Sequence, residues 1–482
     1  MKILSVSSEL SPYAKTGGLG EVCAALPAAL AGRGHQVVTL CPAYGFMDVL
    51  GRTEARGSFW FWLFGKGHEV VYRVVEESDQ LAHVFVSNPM FDRPELYGDD
   101  RGPYGDNLLR FALMSRAVMT VAEQVPIWGA PLGTFDVMHA HDWQAGLALA
   151  YHEALYKPLG LHVGTRRVMT IHNAAHQGQF GLETFGGLDL APRHLSALSQ
   201  GGQLNLLKAG LEFAHVITAV SPTFANELCT VEGGFGLHGL LEWRRRRGEL
   251  VGILNGIDTE SWDPAGDAAL PVRYDIDAMG GKAVCKAALQ RELGLEVRAE
   301  VPVYGMVSRL DFQKGVDLLL DAARAMVSRD IQLVLVGSGD PAMEGALRWL
   351  AAEHPGMVAS FIGFDGGLAR RVFAGCDFML VPSLFEPCGL TQLQAMRYGT
   401  IPIVRATGGL RDTVERWRPE LGTGTGWLFE QPSGWELTQV MEQARRAWVD
   451  RPEWITALRH NGMAHDWSWD RAASSYERIY RG

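Results

Sequence analysis

The sequence predicts an α/β fold with two domains, each built around a mainly parallel sheet. First, a chain of 482 residues is longer than most domains that fold around a single hydrophobic core. Second, short apolar runs alternate with longer helical patterns, which is typical of doubly wound sheets. Third, this alternation occurs twice, over residues 1–253 and again over residues 254–460. The hydrophobic share of 47% and the charged share of 20% are those of a globular protein.

The first series opens with a βαβ unit. An apolar run over residues 2–8 predicts a strand, the stretch "KTGGLG" predicts a turn, and residues 21–34, which end in glycine, predict a helix. Residues 35–42 predict the second strand of the unit. Further strands of this domain are predicted at residues 81–87, 135–141, 166–172 and 214–221.

Another predicted strand, "SFWFWLFGK" at residues 58–66, carries aromatic residues on both of its faces. Aromatic rings stack well on sugars, but burial of the strand on both sides explains the same run. We expect the buried strand.

The second series repeats the pattern and ends in a further helix. Strands are predicted at 302–311, 331–339, 358–364, 377–383 and 400–406, and helices at 315–329 and 341–354. Two such series indicate Rossmann-like domains that face each other, with ligands in the cleft outside the carboxyl ends of the strands. The last predicted helix carries a stripe that we expect to pack against the core, formed by Trp469, Ala473, Tyr476 and Tyr480.

Charge and cysteine usage exclude several classes of function. The net charge is −10 and basic residues are scattered, so we expect no nucleic-acid partner. The arginine run at 244–247 reads as a solvated turn before a strand. The six cysteines form no C-x-x-C pair, which favours a reducing compartment, the cytoplasm. No stretch of about 18 apolar residues occurs, so neither a signal peptide nor a membrane span is predicted.

Lys15 stands beside three glycines, Gly17, Gly18 and Gly20, behind the first predicted strand. Glycines let backbone N–H groups approach an anion closely, and the following helix directs its positive end there. The pattern matches neither the dinucleotide nor the P-loop fingerprint. A phosphate or sugar site and a simple strand-to-helix turn therefore both remain open.

Two motifs of the second domain place charges at predicted strand ends. Arg309 and Lys314 precede a helix, where two cations could neutralise a departing diphosphate without a metal. Glu386 could bind sugar hydroxyls, while the predicted helix start that follows it could hold a phosphate. Taken alone, the cations could equally be solvent-exposed residues at a helix start, and Glu386 a capping acid.

Histidines collect at two strand ends of the first domain, in "VMHAHDWQAG" and "TIHNAAHQGQF". They are His139, His141, His172 and His176, and Asp142 adjoins them. A metallohydrolase is conceivable on this basis. Because no H-E-x-x-H or comparable ligand set accompanies them, we expect no metal site.

The motifs "KTGGLG", "HAHDWQ", "TIHN", "NGID", "SRL", "FEPCGLTQL" and "ATGGLRDTV", in this order, resemble those of the bacterial glycogen synthases and plant starch synthases. The resemblance runs nearly end to end. It implies the GT-B fold, with an acceptor-side domain at 1–253, an ADP-glucose-binding domain at 254–460, and a C-terminal helix at 461–482 that crosses back to the first domain. It also implies transfer of glucose from ADP-glucose to the non-reducing 4-hydroxyl of an α-1,4-glucan such as glycogen, with retention and without metal or cofactor.

The resemblance also implies roles for individual residues. The catalytic residues would be Lys15, His172, Arg309, Lys314 and Glu386. Substrate would be bound by Gly17, Gly18, Glu21, Tyr97, Asp142, Trp143, Asn173, Asn255, Phe364, Cys388, Gly389, Leu390 and Thr391. No enzymic nucleophile is evident, so we expect attack by the acceptor on the face that the phosphate leaves, with that phosphate as base. A trapped glucosyl-enzyme would contradict this expectation.

Four positions depart from the pattern of the family or of other retaining enzymes of this fold. Glu21 stands where relatives usually carry Asp, Phe364 where many carry Tyr, and His176 where an aromatic is common. Gln394 replaces a second Glu found in many other retaining transferases of this fold, which favours the synthase branch.

Three alternatives remain open. A UDP-sugar could be the donor, because charges that bind phosphate do not identify the base. A sugar-nucleotide epimerase shares the fold but would not need the paired acceptor-side motifs. A non-catalytic glucan-binding protein would not need to keep Lys15, Arg309, Lys314 and Glu386.

Overall fold

The structure is a computed structural model that describes residues 1–47 and 55–482, with Ala55 described by its backbone alone. The chain forms two compact units. The first comprises Met1–Val220, Ala225–Ile253 and Trp469–Gly482, and the second comprises Ser221–Phe224 and Leu254–Ser468.

The strands and helices of the first unit follow one another from residue 2 to residue 252. The strands are β1 Lys2–Val6, β2 Gln36–Pro42, β3 Ala55–Leu63, β4 Lys66–Glu76, β5 Leu81–Ser87, β6 Gly98–Asp99, β7 Gly102–Pro103, β8 Pro126–Ile127, β9 Ala130–Pro131, β10 Val137–His141, β11 Arg166–Ile171, β12 Gln179–Gly181, β13 Ser199–Gln200, β14 Gln203–Asn205, β15 Val216–Ala219 and β16 Leu250–Gly252. The helices are α1 Gly18–Gly32, α2 Asn107–Gln124, α3 Asp142–Tyr151, α4 Leu195–Leu198, α5 Leu206–Phe213, α6 Pro222–Glu227, whose first turn belongs to the second unit, and α7 His238–Arg246.

The main sheet of the first unit has nine strands among the described residues, in the order β16-β15-β11-β10-β1-β2-β5-β4-β3. The strands from β16 to β5 pair in parallel, whereas β4 and β3 extend the sheet as an antiparallel hairpin. The chain order of the parallel strands reverses between β1 and β10. In an open parallel sheet, such a reversal opens a crevice at the carboxyl ends of the strands.

The second unit contains a fully parallel sheet and eight α-helices over the described residues. Its strands are β17 Val303–Val307, β18 Gln332–Gly337, β19 Val358–Ile362, β20 Phe378–Val381, β21 Ile401–Arg405 and β22 Trp427–Phe429. Its helices are α8 Gly280–Glu292, α9 Val316–Met326, α10 Pro341–Glu353, α11 Gly366–Gly375, α12 Thr391–Arg397, α13 Gly408–Thr413, α14 Gly434–Asp450 and α15 Pro452–Ala464. The strand order β19-β18-β17-β20-β21-β22 is that of a Rossmann fold, with its reversal between β17 and β20.

The last helix, α16 Trp469–Arg481, packs in the first unit. As predicted, Trp469, Ala473, Tyr476 and Tyr480 are buried, in a cluster that includes Ile3 of β1 and Leu26 of α1. Arg33, at the end of α1, pairs with Asp470 at 2.6 Å and with Glu477 at 3.0 Å. The segment predicted as one helix from residue 461 is divided, because α15 runs to Ala464 and α16 starts at Trp469.

Two other expectations differ from the structure. The aromatic strand β3 is an edge strand, and only one of its faces is covered: Phe61 and Leu63 are buried, but Trp60 and Trp62 are exposed. The arginine run ends helix α7 instead of forming a turn. Its first member, Arg244, is buried, and its guanidinium donates to the carbonyls of Leu211, in α5, and Ala214, just after α5. In the described part of the chain, no helix is long and apolar enough to cross a membrane.

Candidate functional site

In each unit several of the predicted site residues follow the strands at the reversal of strand order. In the first unit, residues 7–17 follow β1, and Asp142 follows β10. In the second unit, residues 308–315 follow β17, and residues 382–390 follow β20. Parallel sheets bind their ligands at these points because two neighbouring loops diverge there.

The loop that carries Lys15 is held by a buried acid, Glu9, that sequence reasoning missed. Glu9 is 3% exposed, and its carboxylate accepts from the Thr16 N–H at 2.8 Å and the Thr16 hydroxyl at 2.9 Å. The Tyr97 hydroxyl donates to the same carboxylate at 2.7 Å and also lies 2.7 Å from the hydroxyl of Ser8. Lys15 itself is exposed and lies 3.3 Å from Glu21. Tyr97 and Glu21 therefore belong to the same loop assembly as Lys15.

The glycines of this loop have different roles in the fold. A Cβ at Gly20 would lie 2.7 Å from the Cβ of Lys15, so only glycine fits beneath the lysine. A Cβ at Gly17, which caps α1, would meet nothing within 4 Å, and its φ of −170° is extended backbone. Gly18 begins α1. The fold therefore requires Gly20 but leaves Gly17 free for another reason, such as close approach of a ligand.

We expect Gly17→Ala to keep the unfolding midpoint of the parent and to raise the KM for a nucleotide-sugar donor roughly tenfold. The added methyl meets no protein atom, but it would obstruct a phosphate held against the backbone N–H groups. Steady-state kinetics and urea unfolding test this together. Gly20→Ala is the matched control, in which both stability and activity should fall. An unchanged KM in Gly17→Ala would contradict a ligand at this loop.

Asp142 organises the second loop of the first unit. It is 8% exposed and has a φ of 54°, in the left-handed region. Its Oδ1 accepts from the N–H of His172 at 2.7 Å and more distantly from that of Asn173, at 3.5 Å. Burial raises the pKa of Asp142 to about 7, although these two N–H groups lower it, and the charge of Glu9 raises it further. Asp142 therefore links the β10 and β11 ends and titrates near neutral pH.

His172 is held by its side chain as well. Its Nε2 lies 3.0 Å from Nδ1 of His141, whose Nε2 lies 3.3 Å from the hydroxyl of Ser5. Burial lowers the pKa of His172 to about 3 and that of His141 well below its usual value. Both rings are therefore neutral at physiological pH, and His172 can donate or accept a hydrogen bond without adding a charge.

The other histidine of the motif, His139, faces the last helix. Its Nδ1 lies 2.7 Å from the hydroxyl of Tyr480, and its Nε2 lies 2.5 Å from that of Thr170. His139, His141 and His172 thus contact one another's rings or neighbouring hydroxyls. Among the described residues, no group of three or more histidine, cysteine or carboxylate side chains could hold a metal ion.

Trp143 does not present its ring to solvent. It is 8% exposed and packs edge-on against Phe111, with ring centroids 5.1 Å apart. Its ring also lies against Gly178, where an added Cβ would fall only 2.2 Å from the ring. Trp143 therefore supports the loop that follows His176, and the substrate contact that the resemblance implies for Trp143 stays a prediction.

In the second unit, Lys314 and Glu386 form an ion pair. The Lys314 Nζ lies 2.6 Å from Oε2 of Glu386, and the same oxygen accepts from the hydroxyl of Ser383 at 2.9 Å. The two charged side chains are 18% and 10% exposed. Arg309 is 63% exposed and lies 3.5 Å from Asp311, which caps the short 3-10 turn Phe312–Lys314. One charge pair is thus enclosed, while a neighbouring cation remains accessible.

The backbone explains why Lys314 meets Glu386. Gly315, with a φ of 67°, lies so close to Pro382 that a Cβ would fall 2.2 Å from the proline carbonyl oxygen. The Leu384 N–H donates to the carbonyl of Gln313 at 2.7 Å, and the Gln313 amide donates to Phe385 at 3.1 Å. The glycine in "QKG" therefore lets the loops after β17 and β20 lie against each other.

The segment after Glu386 packs on a pair of glycines, Gly408 and Gly409, which sequence reasoning missed. Gly409 donates to the carbonyls of Glu386 at 3.0 Å and Pro387 at 3.2 Å, and a Cβ on Gly408 would fall 2.0 Å from the Glu386 oxygen. These glycines belong to the motif "ATGGLRDTV", which is shared with the glycogen and starch synthases, and that motif was the sequence signal that could have indicated their role. They bring the start of α13 against the loop that carries Glu386.

The remaining predicted contacts of the second unit fall into buried and exposed groups. Cys388 is buried, which raises the pKa of its thiol to about 12, and Gly389 has a φ of 72° just before Leu390 and Thr391 at the start of α12. Asn255 is 6% exposed, and its Oδ1 accepts no hydrogen bond within the described chain. Phe364, after β19, is 89% exposed. It offers a free ring face, whereas Cys388 can act only through its backbone or packing.

Two known families match most of the chain. Residues 2–243 match the family described as the starch synthase catalytic domain, and residues 294–456 match glycosyl transferases group 1. A glycogen synthase of Anaeromyxobacter dehalogenans (strain 2CP-1) is 44% identical, with 100% of this chain and 99% of that protein covered. Starch synthase 1, chloroplastic/amyloplastic, of Arabidopsis thaliana is 38% identical, with 99% of this chain and 76% of that protein covered.

Solved structures agree with these relatives. The catalytic domain of starch synthase IV from Arabidopsis thaliana, bound to ADP and acarbose, superposes with a TM-score of 0.88 at 31% identity, covering 99% of this chain and 98% of that one. A sucrose-phosphate synthase from Thermosynechococcus elongatus gives a TM-score of 0.61 at 20% identity over 100% and 98% of the two chains, and shows the fold alone. The predicted GT-B fold class is confirmed. Because it is 44% identical over its full length to a glycogen synthase and matches the starch synthase catalytic domain, this chain belongs to the glycogen and starch synthase family of glycosyltransferases.

Proposed function

We propose that this enzyme elongates an α-1,4-glucan such as glycogen by transferring glucose from ADP-glucose to the non-reducing 4-hydroxyl, with retention and release of ADP. The observation that carries the proposal is the Lys314–Glu386 pair at the strand reversal of a Rossmann sheet, beside the exposed Arg309. A carboxylate for sugar hydroxyls and cations for a diphosphate are the groups that a sugar nucleotide needs.

The donor would be held by the second unit. Arg309 and Lys314 would neutralise the diphosphate, and Glu386 has one oxygen, Oε1, that neither Lys314 nor Ser383 occupies. That oxygen can accept a hydrogen bond from a glucosyl hydroxyl. The backbone at Gly389, Leu390 and Thr391 would lie by the phosphates, and the ring of Phe364 would stack on the base. The related starch synthase IV was solved with ADP, which supports a nucleoside diphosphate as the leaving group.

The first unit would supply a phosphate contact and the sugar environment. Lys15, Gly17, Gly18 and Glu21 would bind the donor. His172, which Asp142 fixes by its backbone and His141 by its ring, would lie by the transferred sugar. A neutral imidazole and a backbone carbonyl can stabilise positive character at the anomeric carbon without repelling it.

In the proposed step, the bond between the anomeric carbon and the β-phosphate oxygen breaks while a bond to the acceptor 4-oxygen forms on the same face. The acceptor's hydroxyl proton passes to the departing phosphate. ADP leaves and the glucan is one glucose longer. The side-chain cations Lys15, Arg309 and Lys314 would stabilise the developing phosphate charge, so we propose a step without metal or cofactor.

We also propose that the enzyme works in the cytoplasm. The six cysteines all fall within the described residues and are free, as is usual in a reducing compartment.

The test is incorporation of labelled glucose into glycogen with EDTA present, using ADP-glucose or UDP-glucose and the parent, Lys15→Ala and Glu386→Ala. We expect transfer from ADP-glucose that survives EDTA and falls by roughly 10²–10³ in each variant. Transfer from UDP-glucose alone would contradict the proposed donor. Conversion of a sugar nucleotide in the absence of glucan would indicate an epimerase, and no turnover with retained glucan binding would indicate a binding protein.

A further inference from the structure

The hairpin formed by β3 and β4 carries two exposed tryptophans, Trp60 and Trp62. Trp60 is 66% and Trp62 is 71% exposed, while Phe61 and Leu63 between and beyond them are buried. Indole rings left in water on a regular strand are unusual, because burying them would stabilise the fold. These two rings, the tryptophan platform, have no role in the site described above.

The two rings lie together over a single glycine. The strand register places Trp62 opposite Gly67 and Trp60 opposite Glu69. A Cβ on Gly67 would lie 3.2 Å from Cζ3 of Trp62 and 3.4 Å from Cε3 of Trp60. Both indoles therefore lean over the backbone of β4 at the same point. The result is a pair of indole rings that flank the same point of β4.

The platform is preformed on a fixed scaffold. The hairpin turns at Phe64 and Gly65, with φ values of 51° and 69°, which suit a two-residue turn. The Phe64 N–H donates to the carbonyl of Gly187 at 2.9 Å, and its ring occupies the place of a Cβ on Gly187. His68 Nε2 lies 3.2 Å from the Leu63 carbonyl. A rigid support reduces the conformational entropy that the protein loses when a ligand binds.

The surroundings of the platform are polar and carry charges of both signs. Ser58, Lys66 and Glu69 are exposed on or beside the same strands. Opposite charges in this small area create no strong field, which does not suit an ionic partner. Hydroxyl, ammonium and carboxylate groups around flat rings instead suit a neutral ligand with apolar faces and a hydroxyl rim. A sugar chain has this chemistry.

The platform is separate from the candidate site. In the sheet order, β2, β5 and β4 lie between β1 and β3. At about 4.8 Å per strand, β3 lies roughly 19 Å from β1. A long glucan can reach both places, whereas an acceptor of a few glucose units that fills one cannot occupy the other.

We infer that the tryptophan platform on the β3–β4 hairpin is a second glucan-binding surface that holds the polymer by stacking while one of its ends reacts. This inference rests on the proposed function for the identity of the polymer. The physical gain is effective concentration, since a chain held at one place presents its ends nearby at a higher local concentration than in solution. The platform should therefore affect long acceptors and leave short ones unaffected.

The test compares the parent with the double variant Trp60→Thr/Trp62→Thr, because threonine suits a strand. Trp435→Thr, which removes a 70% exposed tryptophan from the second unit, is the matched control. Two measurements are made: retardation in native gels containing glycogen, without donor, and kinetics with glycogen or maltotetraose as acceptor. In the double variant we expect loss of retardation and a KM for glycogen raised roughly tenfold. The kcat, the constants for maltotetraose and the urea midpoint should not change.

Unchanged retardation would overturn the inference, as would equal losses on glycogen and maltotetraose. A parent dimer that becomes monomeric in the double variant, with glycogen retardation intact, would show that the edge strand binds a second copy. The gel needs no donor, so it separates this inference from the proposed function. A parent that shows no transfer from ADP-glucose but a platform-dependent retardation would contradict the proposed function and support the platform.

Discussion

Replacement of Lys314 with alanine should lower both activity and stability. We expect kcat/KM for ADP-glucose to fall by about 10³, because a cation on the diphosphate and the partner of Glu386 are lost together. The substitution also leaves the Glu386 carboxylate, only 10% exposed, without the ammonium that lies 2.6 Å from it. Breaking a buried pair by removing one partner costs about 3 kcal/mol. Donor kinetics and urea unfolding of the parent and variant measure the two effects.

Arg309→Ala is the matched control for this prediction. The Arg309 side chain is 63% exposed, and Asp311, its neighbour at 3.5 Å, is 34% exposed, so the unfolding free energy should change by less than about 0.5 kcal/mol. If Arg309 binds the diphosphate, kcat/KM should still fall by about 10². Equal stability losses in both variants, or full activity in Lys314→Ala, would contradict the role assigned to the enclosed pair.

Replacement of Asp142 should separate its shape from its charge. Asp142→Ala leaves the partly buried N–H of His172 without its 2.7 Å acceptor and places alanine at a φ of 54°. We expect a loss of about 3 kcal/mol in stability and of about 10² in kcat. Asp142→Asn keeps an oxygen acceptor and tolerates the left-handed backbone, so its kcat at pH 6 should stay within about fivefold of the parent. Transfer assays on both variants across pH 6–8 check this.

Because Asp142 titrates, the parent and Asp142→Asn should differ in the pH dependence of their stability and activity. Its pKa of about 7 lies above the ordinary value of 3.8, so the protonated carboxyl stabilises the fold; this contribution is fully present below the pKa of the unfolded chain and is lost as the pH rises from there through 7. The stability of the parent should therefore fall relative to Asp142→Asn between pH 6 and pH 8. If the ionised carboxylate assists at the anomeric carbon, parent activity rises over the same range while that of Asp142→Asn stays flat. If the parent and Asp142→Asn had the same pH dependence of stability and of activity, the titration of a buried Asp142 would be contradicted.

Much of the candidate site could be predicted because it lies at the ends of parallel strands. The strand signals before "SRLD" and "FEPCG" placed Arg309, Lys314 and Glu386 at sheet edges, and the structure brings Lys314 and Glu386 to 2.6 Å. Sequence alone could not say that strands β17 and β20 are neighbours, since 73 residues lie between Tyr304 of β17 and Phe378, its partner in β20. The order of strands depends on packing across the whole sheet.

Other features had no local signal. Glu9 looks like an ordinary polar residue after a strand, yet its carboxylate accepts hydrogen bonds both from the nearby Thr16 and from Tyr97, which is distant in the chain. Alternating aromatics predicted strand β3 but not its exposure, because period-two spacing gives two faces without saying what covers each. In the structure, Phe61 and Leu63 lie on the covered face of β3, and Trp60 and Trp62 lie on the uncovered face.

The packing of helix α16 determines when the first unit can be completed during synthesis. Tyr480 contacts His139 in the middle of that unit, and Tyr476 fills the same cluster as Ile3. A ribosome delivers residues 254–468, almost all of the second unit, before α16 exists. The unit that is translated first therefore closes last, and its partly covered sheet must remain soluble while its neighbour folds.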